Sequence, residues 1–246
     1  MNTRLFLENF WATEQKNELF VCMPFHDSFD EKFTIIDNVA KQLGFECARR
    51  TKENAIGNDV VFEILDGLAN SRTLLFDLSI DPKLAKVESQ EISKISENVL
   101  YELGVALTAR EPADIFLISQ KTEASRKLPF DILNTQINFY KYALTEDWLK
   151  EKLDLVVKQQ AWYKSRRIKT AIRLIDSWGL KIINLYSDSK ITHFNDENFP
   201  VEMKLGILRL IDLGIVLFAT GKQGGEYAYY WTGFGKEVIK KIREQG

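Results

Sequence analysis

A chain of 246 residues has room for one large domain or two small ones, and 45% hydrophobic with 28% charged residues excludes a disordered chain, a collagen and a coiled coil. With 33 Lys and Arg against 35 Asp and Glu the formal net charge is −2, which excludes a protein that coats nucleic acid by bulk charge; any nucleic-acid role has to be local.

Leu19 to Met23 is a short continuous apolar run closed by Pro24, the pattern of a strand buried on both faces. From Asp30 to Leu43 the apolar positions Phe33, Ile36, Val39, Ala40 and Leu43 recur at helical spacing, and Gly44 stands where a left-handed C-cap is usual. The alternation continues with a strand Phe45–Ala48, a helix from Asn58 to Ala69, a strand Thr73–Leu78, a helix Asn98–Ala109 and a strand Asp114–Ser119, and Ile137–Ala143 offers a fifth strand. Short right-handed crossovers between such elements predict an α/β fold, a doubly wound five-stranded parallel sheet of flavodoxin-like type over residues 1–144. Its ligand is expected at the C-terminal ends of the strands: Met23-Pro24-Phe25, the loop after Ala48, Asp77-Leu78-Ser79 and the loop after Ser119. The polar stretch Ile80–Glu97 reads either as a lid over that site or as a solvated excursion.

After Leu144 the strand pattern stops and the charge changes sign, from −6 before it to +4 after it. Residues 145–246 are expected to form a helical, winged-helix-like unit: one long or two consecutive helices over Glu146–Ile175, a helix Val201–Leu213 broken by Gly214, strand-like runs Ile215–Ala219 and Tyr227–Trp231 around a Gly-rich turn, and a helix from Thr232. A small interaction or dimerisation domain fits the same pattern. Lys164, Arg166, Arg167, Lys169 and Arg173 form a basic run beside Trp162 and Tyr163, which suits phosphates or a solvated helix face.

The richest segment for chemistry is Asn98-Val-Leu-Tyr-Glu102-Leu-Gly104-Val-Ala106. A helical wheel puts Val99, Leu100, Leu103, Ala106 and Leu107 on one apolar face with Glu102 at its edge, and Asn98 as N-cap would place Glu102 in the first turn, where the helix dipole favours the anion. Such a carboxylate suits a nucleophile or a stabiliser of an oxocarbenium-like centre, or it merely supports the helix N-terminus.

Taken together, Phe20-Val-Cys-Met-Pro-Phe25 with Phe29, Ser71-Arg-Thr-Leu-Leu-Phe-Asp77-Leu-Ser79 and the Glu102 segment resemble the nucleoside 2-deoxyribosyltransferase-like and TIR-like superfamily over roughly residues 19–140. That resemblance implies cleavage or transfer of an N-glycosidic bond, in NAD or in a nucleoside or nucleotide, with Glu102 catalytic. A bacterial antiphage-defence NADase is one concrete form. It implies further that Asp77 contacts the sugar or orders the site and that Pro24 and Phe25 pack around base or ribose, while Leu128-Pro-Phe-Asp131 is similar to a late loop of bacterial members. The family's T-G-R-N-P-N run is replaced here by Ser79-Ile-Asp-Pro82 and the long insertion. Phe25, Phe29 and Tyr101 are candidates to hold the base, so the expected substrate contacts are Met23, Pro24, Phe25, Phe29, Asp77, Asn98 and Tyr101. A noncatalytic nucleotide sensor, coupled to nucleic acid or protein through the C-terminal region, is the competing reading.

Several absences complete the expectation. No G-x-G-x-x-G after a strand and no Walker loop occurs, so neither a Rossmann cofactor nor ATP is indicated, and no metal cluster is visible. His26 reads as a polar loop residue. Cys22 and Cys47 lack C-x-x-C spacing and read as buried free thiols of a reducing cytoplasm. Neither an export signal nor a run approaching about 20 apolar residues is present, so no membrane partner is expected, and a homo-oligomer is.

Overall fold

The computed structural model describes residues 15–24, 27–51, 58–80, 96–121, 136–188, 193–195, 198–219 and 228–245. The chain divides into two compact units, one spanning Gln15–Gln160 and the other containing Ala161–Gly246.

The first unit alternates strand and helix: β1 (Lys16–Cys22), α1 (Asp30–Gln42), β2 (Cys47–Arg49), α2 (Asn58–Asn70), β3 (Ser71–Asp77), α3 (Glu97–Ala109), β4 (Ile115–Gln120), β5 (Ile137–Tyr140) and the first part of α4 (Glu146–Leu174), whose residues from Ala161 on belong to the second unit, with 3-10 turns at Asp27–Phe29 and Pro112–Asp114. All five strands are parallel in the order β2-β1-β3-β4-β5, so the flavodoxin-like doubly wound sheet predicted from the sequence is present. The chain steps from β1 to one side and then returns to add β3 on the other, so the two strands flank the switch point where such folds open a crevice at their carboxyl ends. Gly44, at φ +84°, ends α1 in the left-handed conformation that a side chain would resist.

The sheet's two faces are distinguished by alternation along the strands. Leu19, Val21 and Met23 share one core cluster with Ile36, Val39 and Ala40 of α1, Leu75 of β3, and Leu149 and Leu153 of α4. The expected boundary at Leu144 thus falls just before a helix whose first half packs into this core, and the division between units lies within that helix. Phe20 points to the other face, where a Cβ on Gly67 of α2 would come within 2.2 Å of its ring. Only glycine lets α2 approach β1 so closely, and Cys22 follows Phe20 onto this α2–α3 side.

The second unit adds α5 (Ser177–Tyr186), β6 (His193–Asn195), α6 (Val201–Asp212), β7 (Val216–Ala219), β8 (Ala228–Trp231) and α7 (Gly233–Arg243). The three strands are antiparallel in the order β6-β8-β7. The expected helix, strand, strand, helix succession over its last part is present, whereas α5 and β6 were not anticipated; residues of the Gly-rich turn lie outside the described ones. Asp176 caps α5 by accepting from Gly179 N–H at 2.6 Å, and Thr232 caps α7 by accepting from Gly235 N–H at 2.8 Å. Ile182, Ile207, Val216, Trp231 and Val238 belong to its core. Among the described residues no helix is long and apolar enough to cross a membrane.

Candidate active site

The carboxyl edge of the parallel sheet carries two buried carboxylates in different surroundings. Asp77 closes β3 and is fully buried. Two residues beyond Leu75, which packs in the cluster with α1, Asp77 shares that strand face, and there Lys32 Nζ stands 3.4 Å from its Oδ2. The Ser79 N–H donates to Asp77 Oδ1 at 2.9 Å, so the carboxylate also holds the turn that leaves the strand. Lys32 Nζ stands 4.2 Å from the centroid of Phe29 and 5.5 Å from that of Tyr140, so the ammonium is lodged between an anion and two ring faces.

The ends of β3, β4 and β5 are tied together by hydroxyls. Ser79 and Tyr140 share a hydrogen bond of 2.9 Å, and the Gln120 N–H donates to Ser79 Oγ at 2.9 Å. Burial and the negative charge of Asp77 push the Tyr140 phenol well above its ordinary range, so this hydroxyl stays protonated.

Glu102 lies on the opposite face of the same edge. It is 5% exposed, in the middle of the buried side of α3 with Val99, Leu103, Ala106 and Ala109 rather than at its margin. Asn98 is not the cap. The helix begins at Glu97 after Ser96, which makes no side-chain capping bond, so Asn98 is its exposed second residue and Glu102 belongs to the second turn. The dipole argument therefore weakens, because that effect fades beyond the first turn. Burial takes over: it raises the Glu102 carboxyl from an ordinary 4.5 to about 6, opposed by a hydrogen bond from the Cys22 thiol. Burial and the adjacent Glu102 charge push Cys22 itself far up, which keeps the thiol a protonated donor and not a nucleophile. At neutral pH Glu102 remains mostly ionised.

Cys22 pairs in register with Phe76, immediately before Asp77, so the two carboxylates cap adjoining strand ends from opposite faces. Met23 and Pro24 are buried beside them in the turn leaving β1. Phe29 is 1% exposed within the core cluster, under Lys32, so its ring serves packing instead of offering a face to a base. Tyr101 is 70% exposed on α3, off the side that buries Glu102. Phe25, His26, the lid stretch 81–95 and the Leu128–Asp131 loop lie outside the described residues. Of the basic run, Arg166 and Arg167 line a groove in the second unit, while Lys164, Lys169 and Arg173 are exposed along the same helix.

Cys22, Lys32 and Tyr140 were not singled out as site residues from sequence. The available signal was indirect: a buried strand-end Asp requires a cation, and α1 is the helix that covers that face. Among the described residues no group of three His, Cys, Asp or Glu is placed to hold a metal ion.

No family model and no curated protein matches the chain. Among solved structures, a flavo di-iron protein variant from Thermotoga maritima is similar at a TM-score of 0.42 and 15% identity, over 65% of this chain and 39% of that one. The chain thus spans well under two thirds of that protein's length.

Proposed function

We propose that the Gln15–Gln160 unit cleaves or transfers the N-glycosidic bond of a nucleoside or nucleotide, NAD included, with Glu102 as its catalytic carboxylate. The observation that carries this reading is a buried carboxylate at the switch-point edge, held by a thiol and not by a cation among the described residues, and with its titration moved to about 6. The superfamily resemblance of the three strand-end motifs supports the same residue.

In this reaction the C1′–N bond breaks and its electron pair leaves on the base nitrogen, so positive charge develops at C1′ of the sugar. Glu102 meets that charge as an ion pair or closes on C1′ as a glycosyl ester. Water then completes hydrolysis, or a second base completes transfer. Burial makes the carboxylate effective, since a charge without competing water interacts more strongly with the developing cation. Asp77, paired with Lys32, positions the turn at Ser79, and the hydrogen bonds of Ser79 Oγ with Tyr140 and the Gln120 N–H fix the adjoining rim. The ionised form is required, so activity rises with pH through about 6 and levels above it.

The deciding experiment incubates the full chain with NAD and a panel of nucleosides and nucleotides and identifies products by mass spectrometry. Glu102→Gln keeps the volume and the acceptor for Cys22 while deleting the charge, so turnover should fall by at least about a hundredfold with nucleotide binding little changed. Equal turnover in the two proteins would remove the reading. Tight binding without turnover in the parent chain would replace it with a noncatalytic sensor.

A further inference from the structure

The second half of α4 carries an exposed arrangement that this chemistry does not use. Trp162, Arg166, Lys169 and Arg173 follow one another at spacings of four, three and four residues, which places them in one stripe along the helix, about 17 Å from end to end. Lys164 falls outside that stripe by the same geometry. Trp162 is 59% exposed, and the Arg166 guanidinium stands 5.2 Å from its ring centroid.

Beside the stripe runs a groove of about 400 Å³, lined by Trp162, Arg166, Arg167 and Thr170 of α4, Asp212 at the end of α6 and Phe234 of α7, among others. Arg167 is sandwiched there, with its guanidinium 4.9 Å from the Phe234 centroid and 6.0 Å from that of Tyr163. A merely solvated basic face would not need an aromatic ring from another helix to orient one of its arginines.

We infer that this groove together with the stripe beside it binds single-stranded nucleic acid, with Trp162 as a stacking platform for a base and Arg166, Lys169 and Arg173 following the phosphates. Two features select that ligand. A flat exposed ring followed by a line of cations matches the alternation of bases and phosphates along an unpaired strand, and in a duplex the bases are stacked on one another and cannot reach the indole. The one acid of the lining, Asp212, belongs to α6 and not to the α4 stripe, and its carboxylate can accept from a base amino group while the phosphates keep to the cations. The local charge does what the net charge of −2 cannot.

The test is fluorescence anisotropy of the full chain with end-labelled single-stranded DNA and RNA 12-mers and the matching duplex, over a salt series beginning near about 25 mM. Binding of single strands that weakens with salt is expected. Arg166→Ala should weaken it and lower the salt slope by about one, whereas Trp162→Ala should weaken it about tenfold or more without altering the slope, and Trp162→Phe should retain most of it. Both side chains are exposed, so circular dichroism should show an unchanged fold. Glu102→Gln should bind strands as the parent does, which separates this inference from the glycosidic reading. No binding at the lowest salt, indifference to Trp162→Ala, or equal affinity for duplex would overturn it.

Discussion

The two edges of the parallel sheet both bury charge, and they do so to opposite ends. At the amino edge, Arg110 donates to Leu68 O at 2.7 Å, to Arg72 O at 3.2 Å and to Asp114 Oδ2 at 3.2 Å, and Gln160 Nε2 reaches Thr73 Oγ1 at 3.0 Å and Asp114 Oδ1 at 3.4 Å. Arg110 and Asp114 are a buried pair whose donors and acceptors are met, which makes them a clasp between the ends of α2, α3 and β4. At the carboxyl edge Glu102 is as deeply buried, yet its hydrogen bond comes from a thiol, a weak donor, and its carboxyl is raised to about 6. Burial alone does not mark a functional carboxylate. The difference between the edges is that Glu102 is buried with no compensating charge among the described residues, an arrangement a fold gains nothing from and the proposed reaction would use.

The comparison breaks most visibly at the amino edge. Arg110→Met leaves Asp114 buried without its cation, so unfolding free energy should drop by about 3–5 kcal/mol, seen as a lower urea midpoint, and Asp114→Leu in the same chain should recover much of it. If the single variant is as stable as the parent, the clasp is not structural.

At the carboxyl edge the sign reverses. The folded state holds the Glu102 proton to about pH 6, whereas the unfolded chain releases it near 4.5, so the stability from this group is complete below 4.5 and is lost as pH rises through 6. The loss is about 2 kcal/mol. Glu102→Gln should therefore be more stable than the parent at pH 8 by up to that amount and no more stable at pH 4, as read from denaturant melts at both values. A variant destabilised equally at both would refute the assignment of an uncompensated charge.

The smallest effect sharpens the origin of that titration. Cys22→Ala removes the bond that, among the described residues, opposes burial, so the Glu102 carboxyl should titrate higher still, while Cys22→Ser keeps a donor and should restore it. Carbon NMR of the labelled carboxyl reads this without any assay of activity. An unmoved titration in Cys22→Ala would mean that burial acts alone.

The carboxyl edge was partly visible in the amino-acid order. Asp77 and Glu102 could be placed there because each follows or faces a strand whose apolar run says where it ends. The wheel places Glu102 at a margin and Asn98 at a cap, whereas the helix starts at Glu97, after a Ser96 two residues before Asn98 that makes no side-chain capping bond, and Glu102 is buried with the apolar side. Phe29 and Tyr101 looked equivalent as aromatics near strand ends, yet one is core and the other surface, since a side chain's fate depends on which helix lands over it.

What the sequence determined by itself is local and periodic. Continuous apolar runs specified buried parallel strands, the 3.6-residue rhythm specified their helices, and Gly44 and Gly214, at φ +84° and +70°, marked two helix ends. Only the tertiary structure decided the strand order, the meeting of Cys22 with Glu102 and of Lys32 with Asp77, and the seating of Arg167 against Phe234. These contacts join residues from 45 to 80 positions apart. No rhythm within one element encodes them, because they follow from which faces hydrophobic burial brings together.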